Sequence, residues 1–150
     1  MPGLYVHIPF CRRKCRYCDF ASSGGKDALI EPYLKALGQE ALRVRLRRTL
    51  PGGLNTLYIG GGTPSLLEPQ QLEKLFSQLE ALCGRIKGLK ESTFEANPES
   101  LTPEKAAQLA AAGFNRVSLG LQASQDRLLD RLGRLASFEE FVNAFRTLRQ

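Results

Sequence analysis

Short apolar segments alternate with longer segments of helical period along the whole chain, and this alternation constrains the fold most. The strand candidates are Leu4–Ile8, Leu54–Ile59, Glu91–Glu95 and Asn115–Leu119, each rich in β-branched or apolar residues. Between the first two, Ile30, Leu34, Leu37, Ala41 and Val44 step by three and four, the spacing of one helical face. Leu72, Leu75, Phe76, Leu79 and Leu82 repeat that pattern from about Pro69 to Gly84. A third helix should open with Thr102 as N-cap and Pro103 at its first position, and stop at Gly113. Ser124 is the expected cap of a short fourth helix, and Ser137 with Glu140 forms a capping box for a fifth.

Strands separated by helices imply an α/β fold of parallel βα repeats. Four such units leave the last strand unpaired, and the final helix has a strong cap and no terminator before Gln150. The chain therefore reads as part of a longer protein. Ala21–Lys26, with two serines and two glycines, is the longest flexible-looking segment.

No apolar run approaches the roughly 20 residues that a membrane span needs. Met1-Pro2-Gly3-Leu4-Tyr5 shows no basic stretch leading into an apolar one, so no secretory signal is expected. The net charge of +6 is mild, and the basic residues are scattered rather than gathered with aromatics, so no nucleic-acid partner is expected. Three of the four cysteines, Cys11, Cys15 and Cys18, fall on one short stretch, while Cys83 stands apart. A disulfide framework spreads its cysteines; a tight cluster points to metal or redox chemistry in a reducing compartment, here the cytoplasm.

Cys11-Arg-Arg-Lys-Cys15-Arg-Tyr-Cys18 directly follows the first strand, and functional loops of βα folds lie at strand C-terminal ends. Three thiolates can grip an iron–sulfur cubane and leave one iron open. A structural zinc ion wants four protein ligands, and His7 and Cys83 are the nearest further donors. Arg12, Arg13, Lys14 and Arg16 crowd the loop and would favour thiolates. His7, in a strand, reads as a packing residue, and Cys83 as a small buried one. The arginines of Arg43–Arg48 read as a solvated helix end.

The cysteine spacing resembles the signature of the radical S-adenosylmethionine (SAM) superfamily. Tyr5-Val-His-Ile-Pro-Phe-Cys11, Gly60-Gly-Gly-Thr-Pro-Ser65, Phe94-Glu-Ala-Asn-Pro-Glu99 and Gly113-Phe-Asn-Arg-Val-Ser-Leu-Gly-Leu-Gln122 are similar to blocks of its coproporphyrinogen-III-oxidase-like branch. That resemblance implies a partial TIM barrel, of which residues 1–150 would be the N-terminal part, about four of six βα units. It implies a 4Fe–4S cluster on Cys11, Cys15 and Cys18, whose open iron binds SAM and whose electron cleaves it to methionine and a deoxyadenosyl radical. SAM contacts carried over from the family are Tyr5, Tyr17, Gly61, Gly62, Thr63, Glu95, Gln122 and Arg134. Glycines at the top of a strand would let backbone approach the ligand. A carboxylate suits an ammonium, a guanidinium a carboxylate, and an amide the ribose hydroxyls.

Within the branch, Phe20 stands where the decarboxylase carries a further cysteine, and the chain enters its first strand at once. Both features resemble the haem-chaperone members. The family often has a histidine soon after the Gly133-Arg134 pair, and here Leu135-Ala136-Ser137 follows. Three readings stand: a haem chaperone using cluster and SAM; a SAM-dependent oxidative decarboxylase of coproporphyrinogen III; and a structural zinc module. The glycine, glutamate and glutamine blocks weigh against the last, since a zinc knuckle needs none of them. Implied partners are SAM, haem or a porphyrinogen, and an electron donor such as a flavodoxin or ferredoxin.

Overall fold

The computed structural model describes residues 2–46 and 54–150, with nothing said of the Cys83 side chain. Arg47, Arg48 and the packing expected of Cys83 lie outside what is described.

The strands β1 (Gly3–Ile8), β4 (Thr56–Gly61), β5 (Glu91–Ala96) and β6 (Arg116–Leu119) form one parallel sheet in the order β1-β4-β5-β6. The helices between them are α1 (Ile30–Leu46), α2 (Pro69–Cys83) and α3 (Pro103–Ala112), with α4 (Asp126–Leu132) and α5 (Phe138–Thr147) beyond β6. Side chains alternate across the sheet. Val6, Ile59, Phe94 and Val117 stand in one row across the four strands on the helix-covered face. Leu34, Leu72, Leu75, Leu79 and Leu109 close over this face, and Phe76, Phe94 and Phe114 interlock with ring centroids 5.1–6.3 Å apart. The opposite row is Tyr5, Tyr58, Thr93 and Arg116. One face is thus apolar and the other carries hydroxyls and charge, which aims polar groups at the open side of the sheet.

Most elements lie where their patterns place them, and the differences have local causes. β4 starts later than Leu54 and runs through Gly60 and Gly61, because both glycines stay paired to His7 and Ile8. β6 starts after Asn115, whose side chain takes the place of a ladder bond: its Oδ1 accepts the Ser92 N–H at 2.9 Å. Thr102 caps α3 by accepting the Lys105 N–H at 3.2 Å, and the Ser137–Glu140 box is formed.

Ser124 does not cap α4. The N-cap is Gln125, without a side-chain bond, and Asp126 in the first turn accepts the Phe138 N–H at 2.8 Å instead. Ala21–Lys26 is not a loose segment either. It contains the short strand β3 (Ser23–Gly24), paired in parallel with β2 (Phe10–Cys11). Ser23 N–H donates to Pro9 O and Gly25 N–H to Cys11 O, which ties the two ends of the cysteine loop together.

Candidate functional site

The loops that follow all four sheet strands meet at one end of the sheet. There a cavity of about 290 Å³ opens, near the lower end of the ~300–1,000 Å³ typical of ligand pockets. Cys11, Cys15, Cys18, Tyr17, Gly61, Gly62, Thr63, Glu95, Gln122 and Arg134 all line it. Of the cluster ligands and SAM contacts expected from the sequence, Tyr5 alone does not. Its hydroxyl bonds to His7 Nδ1 at 3.0 Å, and its ring lies 5.9 Å from that of Tyr58. Burial, then the Glu95 charge, raises the Tyr5 pKa.

Cys11 is buried, Cys15 and Cys18 are partly exposed, and all three are free thiols. Among the described residues no three Cys, His, Asp or Glu side chains are close enough to share one metal ion. His7 offers no spare ligand atom. Its Nε2 faces the Ala21 carbonyl at 2.7 Å and must carry the proton, since a carbonyl only accepts. Its packing role stands.

A polar chain joins two of the thiols. Thr63 Oγ1 donates to Cys11 Sγ at 3.5 Å and accepts from Asn97 Nδ2 at 3.1 Å. Asn97 Oδ1 accepts from Arg134 Nη2 at 2.9 Å, and Arg134 Nη1 reaches Cys15 Sγ at 3.8 Å. Asn97 was inside a quoted motif yet carries no charge and no redox chemistry, so only its position reveals it as the hub. Arg134 is 8% exposed and also donates to Gly120 O, while its buried Nε has no partner. A buried donor without a partner is costly. Tyr17 stands beside Cys15 and Arg134; burial, then the Cys15 charge, raises its pKa against the opposing pull of Arg134.

Glu95 projects over the end of β4. Tyr58 Oη donates to its Oε1 at 2.5 Å and Gly61 N–H to its Oε2 at 3.0 Å. The bond to Glu95, more than burial, pushes the Tyr58 pKa up to about 12. A carboxylate has about four lone-pair sites, so acceptor capacity remains towards the cavity. Gly61 and Gly62 line the cavity, and on the side where a Cβ would stand the glycines are packed by the chain's own atoms. A Cβ on Gly60 would lie 2.6 Å from Glu95 Oε2, one on Gly61 2.6 Å from the His7 ring, and one on Gly62 2.6 Å from Phe10 O. Gln122 has φ 75°, the one non-glycine residue with positive φ among those described, and strain of this kind gathers at binding sites.

Arg13 and Lys14 line the cavity together with the three thiols. Arg13 and Arg16 donate to carbonyls at the end of α4, and Lys14 to Phe20 O. Lys105, nearly buried, donates to Ser65 O at 2.9 Å and Ser100 O at 3.2 Å, and so ties the loop after β4 to the loop after β5. Burial lowers its pKa. Nothing but burial distinguishes it from the other lysines, so the sequence offers no signal for this role.

The Radical SAM superfamily model matches residues 5–150. The "Heme chaperone HemW" of Bacillus subtilis is 37% identical over 150 residues, all of this chain and 39% of that protein. The protein of the same name from Lactococcus lactis is 41% identical over 132 residues, 88% of this chain and 33% of that one. Among solved structures, Escherichia coli coproporphyrinogen III oxidase (HemN), described as a radical SAM enzyme, superimposes with a TM-score of 0.88 at 28% identity, covering 98% of this chain and 34% of that one. The cobalamin-dependent radical SAM enzyme OxsB shares the fold, with a TM-score of 0.60 at 18% identity. The chain thus spans about two fifths or less of the relatives it matches.

Proposed function

The chain belongs to the radical SAM superfamily, and from that premise we propose that it binds a 4Fe–4S cluster and SAM as part of a haem-chaperone-like protein. The observation that carries this reading is the convergence of three free thiols, a buried arginine with an unpartnered Nε, and a half-satisfied carboxylate on one cavity. Cys11, Cys15 and Cys18 would hold the cluster and leave one iron for a non-protein ligand. When bound and reduced, the cluster supplies the electron for reductive cleavage of SAM, chemistry that belongs to the cofactors.

The chain's own residues bind, orient and tune. Thr63 donates to the Cys11 sulfur and Arg134 to the Cys15 sulfur; such bonds stabilise the more negative state and set the cluster's potential. Arg134 also offers its free N–H to the SAM carboxylate, and Glu95 its remaining lone pairs to the ammonium or ribose. Gln122 and Tyr17 line the other walls. Tyr5 acts through His7, which steadies the far end of the cysteine loop at Ala21. An external one-electron donor such as a flavodoxin or ferredoxin completes this reading.

The relatives named as haem chaperones, at 37–41% identity, favour haem as the cargo over a decarboxylase reading. Phe20 supports the same choice: it lines the cavity and is 68% exposed, an apolar ring where the decarboxylase would place a thiol. The fold match to HemN keeps oxidative decarboxylation of coproporphyrinogen III as the second reading. Full-length protein, reconstituted anaerobically, decides between them when haem binding and decarboxylation are assayed side by side. Haem binding without turnover supports the chaperone; turnover of coproporphyrinogen III overturns it.

A further inference from the structure

The cysteine loop and the turn that presents Arg134 are joined by hydrogen bonds. α4 ends on Gly133 at φ 77°, with Gly133 N–H donating to Asp130 O and Arg134 N–H to Leu129 O, both at 2.9 Å. This glycine turn satisfies two of the carbonyls that a helix end leaves open. The next four, Arg131 to Arg134, all find donors on the cysteine loop. Arg16 gives its N–H to Leu132 O at 3.0 Å and its Nη1 to Arg131 O at 3.3 Å. Arg13 places Nη2 between Gly133 O at 2.9 Å and Arg134 O at 3.0 Å, with Nε on Gly133 O at 3.2 Å. The loop that carries the thiols is therefore the C-terminal cap of α4.

We propose that Arg13 is a positioning residue, whose fork holds the Gly133–Arg134 peptides so that the Arg134 side chain enters the cavity in register with the thiols. The proposal rests on the reading of Arg134 and the cysteine loop as the SAM and cluster site. A guanidinium suits this task because its donors are rigid and planar and can grip two carbonyls at once, and its charge complements the negative end of the helix. Asn97 and Gly120 hold the tip of Arg134, and Arg13 holds its backbone. With both ends fixed, the guanidinium keeps its place in the cavity wall. Arg12 is an internal control: it carries the same charge on the same loop and makes no hydrogen bond among the described residues.

The test compares Arg13→Gln, Arg13→Lys and Arg12→Gln in the full-length protein. Three quantities are read: amide exchange over 132–136 in the cluster-free protein, iron and sulfide content after anaerobic reconstitution, and SAM affinity together with the change SAM causes in the reduced cluster's electron paramagnetic resonance. Arg13→Gln is expected to speed exchange and weaken SAM each by about tenfold, with normal iron loading. Arg13→Lys, which keeps the charge but not the fork, should fall between, and Arg12→Gln should match the parent. Unchanged exchange in Arg13→Gln, or equal effects in Arg12→Gln, would overturn the proposal. Faster exchange with unchanged SAM affinity would also overturn it, leaving Arg13 a mere structural tie. If the parent itself takes up no cluster, the functional reading fails, and the exchange arm still tests the clamp.

Discussion

In the proposed reading Glu95 and Arg134 meet the charged ends of the ligand, and each also bonds to the protein. Loss of one charge-assisted hydrogen bond costs about 1.5–3 kcal/mol, so Glu95→Ala and Arg134→Ala should each weaken SAM binding about ten- to a hundredfold. Calorimetric titration of SAM checks this; unchanged affinity in both would show that the ligand does not sit here. Tyr58 makes a separate test at high pH. Its folded-state pKa of about 12 lies above the ordinary 10.0, so the folded chain keeps a proton that the unfolded chain gives up. The stability it contributes is complete below pH 10 and is lost as pH rises towards 12. Unfolding midpoints measured across that window should fall less steeply in Tyr58→Phe than in the parent, and equal slopes would remove Glu95 as the cause.

At the scale of elements, the loops after β4 and β5 form the floor of the site, and Lys105 of α3 bridges them. Replacing it with methionine leaves two carbonyls without their donor, a cost of about 1–3 kcal/mol per unsatisfied group. Lys105→Met should therefore lower the unfolding midpoint, followed by circular dichroism; an unchanged midpoint would mean that water replaces the ammonium freely. The sequence made the strands, α2, α3 and the α5 cap legible, because apolar period and capping residues are local signals. It hid what depends on partners far along the chain. Ser23 and Gly24 look like flexible linker residues, and only pairing with Phe10 and Cys11 makes them a strand. Gly61 and Gly62 line the cavity, and what the sequence hid is that Glu95, His7 and the Phe10 carbonyl pack where a Cβ on Gly60, Gly61 or Gly62 would stand. Arg13 lines the cavity beside the thiols, and its second task as a cap of α4, shared with Arg16, left no mark in the sequence. That three cysteines would share one cavity was legible, since residues on one short loop need no fold to bring them together.

Across the whole molecule, the polar site and an apolar groove lie on different parts of the sheet. The groove, about 640 Å³, runs beside β6 between α3 and α5 and is lined by Leu109, Phe114, Val117, Leu119, Phe141 and Phe145. β6 is the last strand in the sheet order, with β5 its one neighbour, and Phe138 and Phe145 are 39% and 50% exposed. An apolar face beside an open strand edge is where a further βα unit packs in a parallel sheet. Residues 1–150 expressed alone should bind an apolar dye such as anilinonaphthalene sulfonate and melt broadly, whereas a chain of the relatives' full length should do neither. A sharp melt without dye binding for the 150 residues would contradict this. No helix among the described residues is long and apolar enough to cross a membrane.

Whether Cys11, Cys15 and Cys18 hold a cluster, as proposed, or a single ion is decided by metal analysis after anaerobic reconstitution of the full-length protein. Four irons and four sulfides per chain (the composition of the cubane), an absorbance bleached by air, and loss of most of the iron in Cys15→Ser are expected. Stoichiometric tetrahedral zinc with no iron uptake, or full cluster loading in Cys15→Ser, would contradict it.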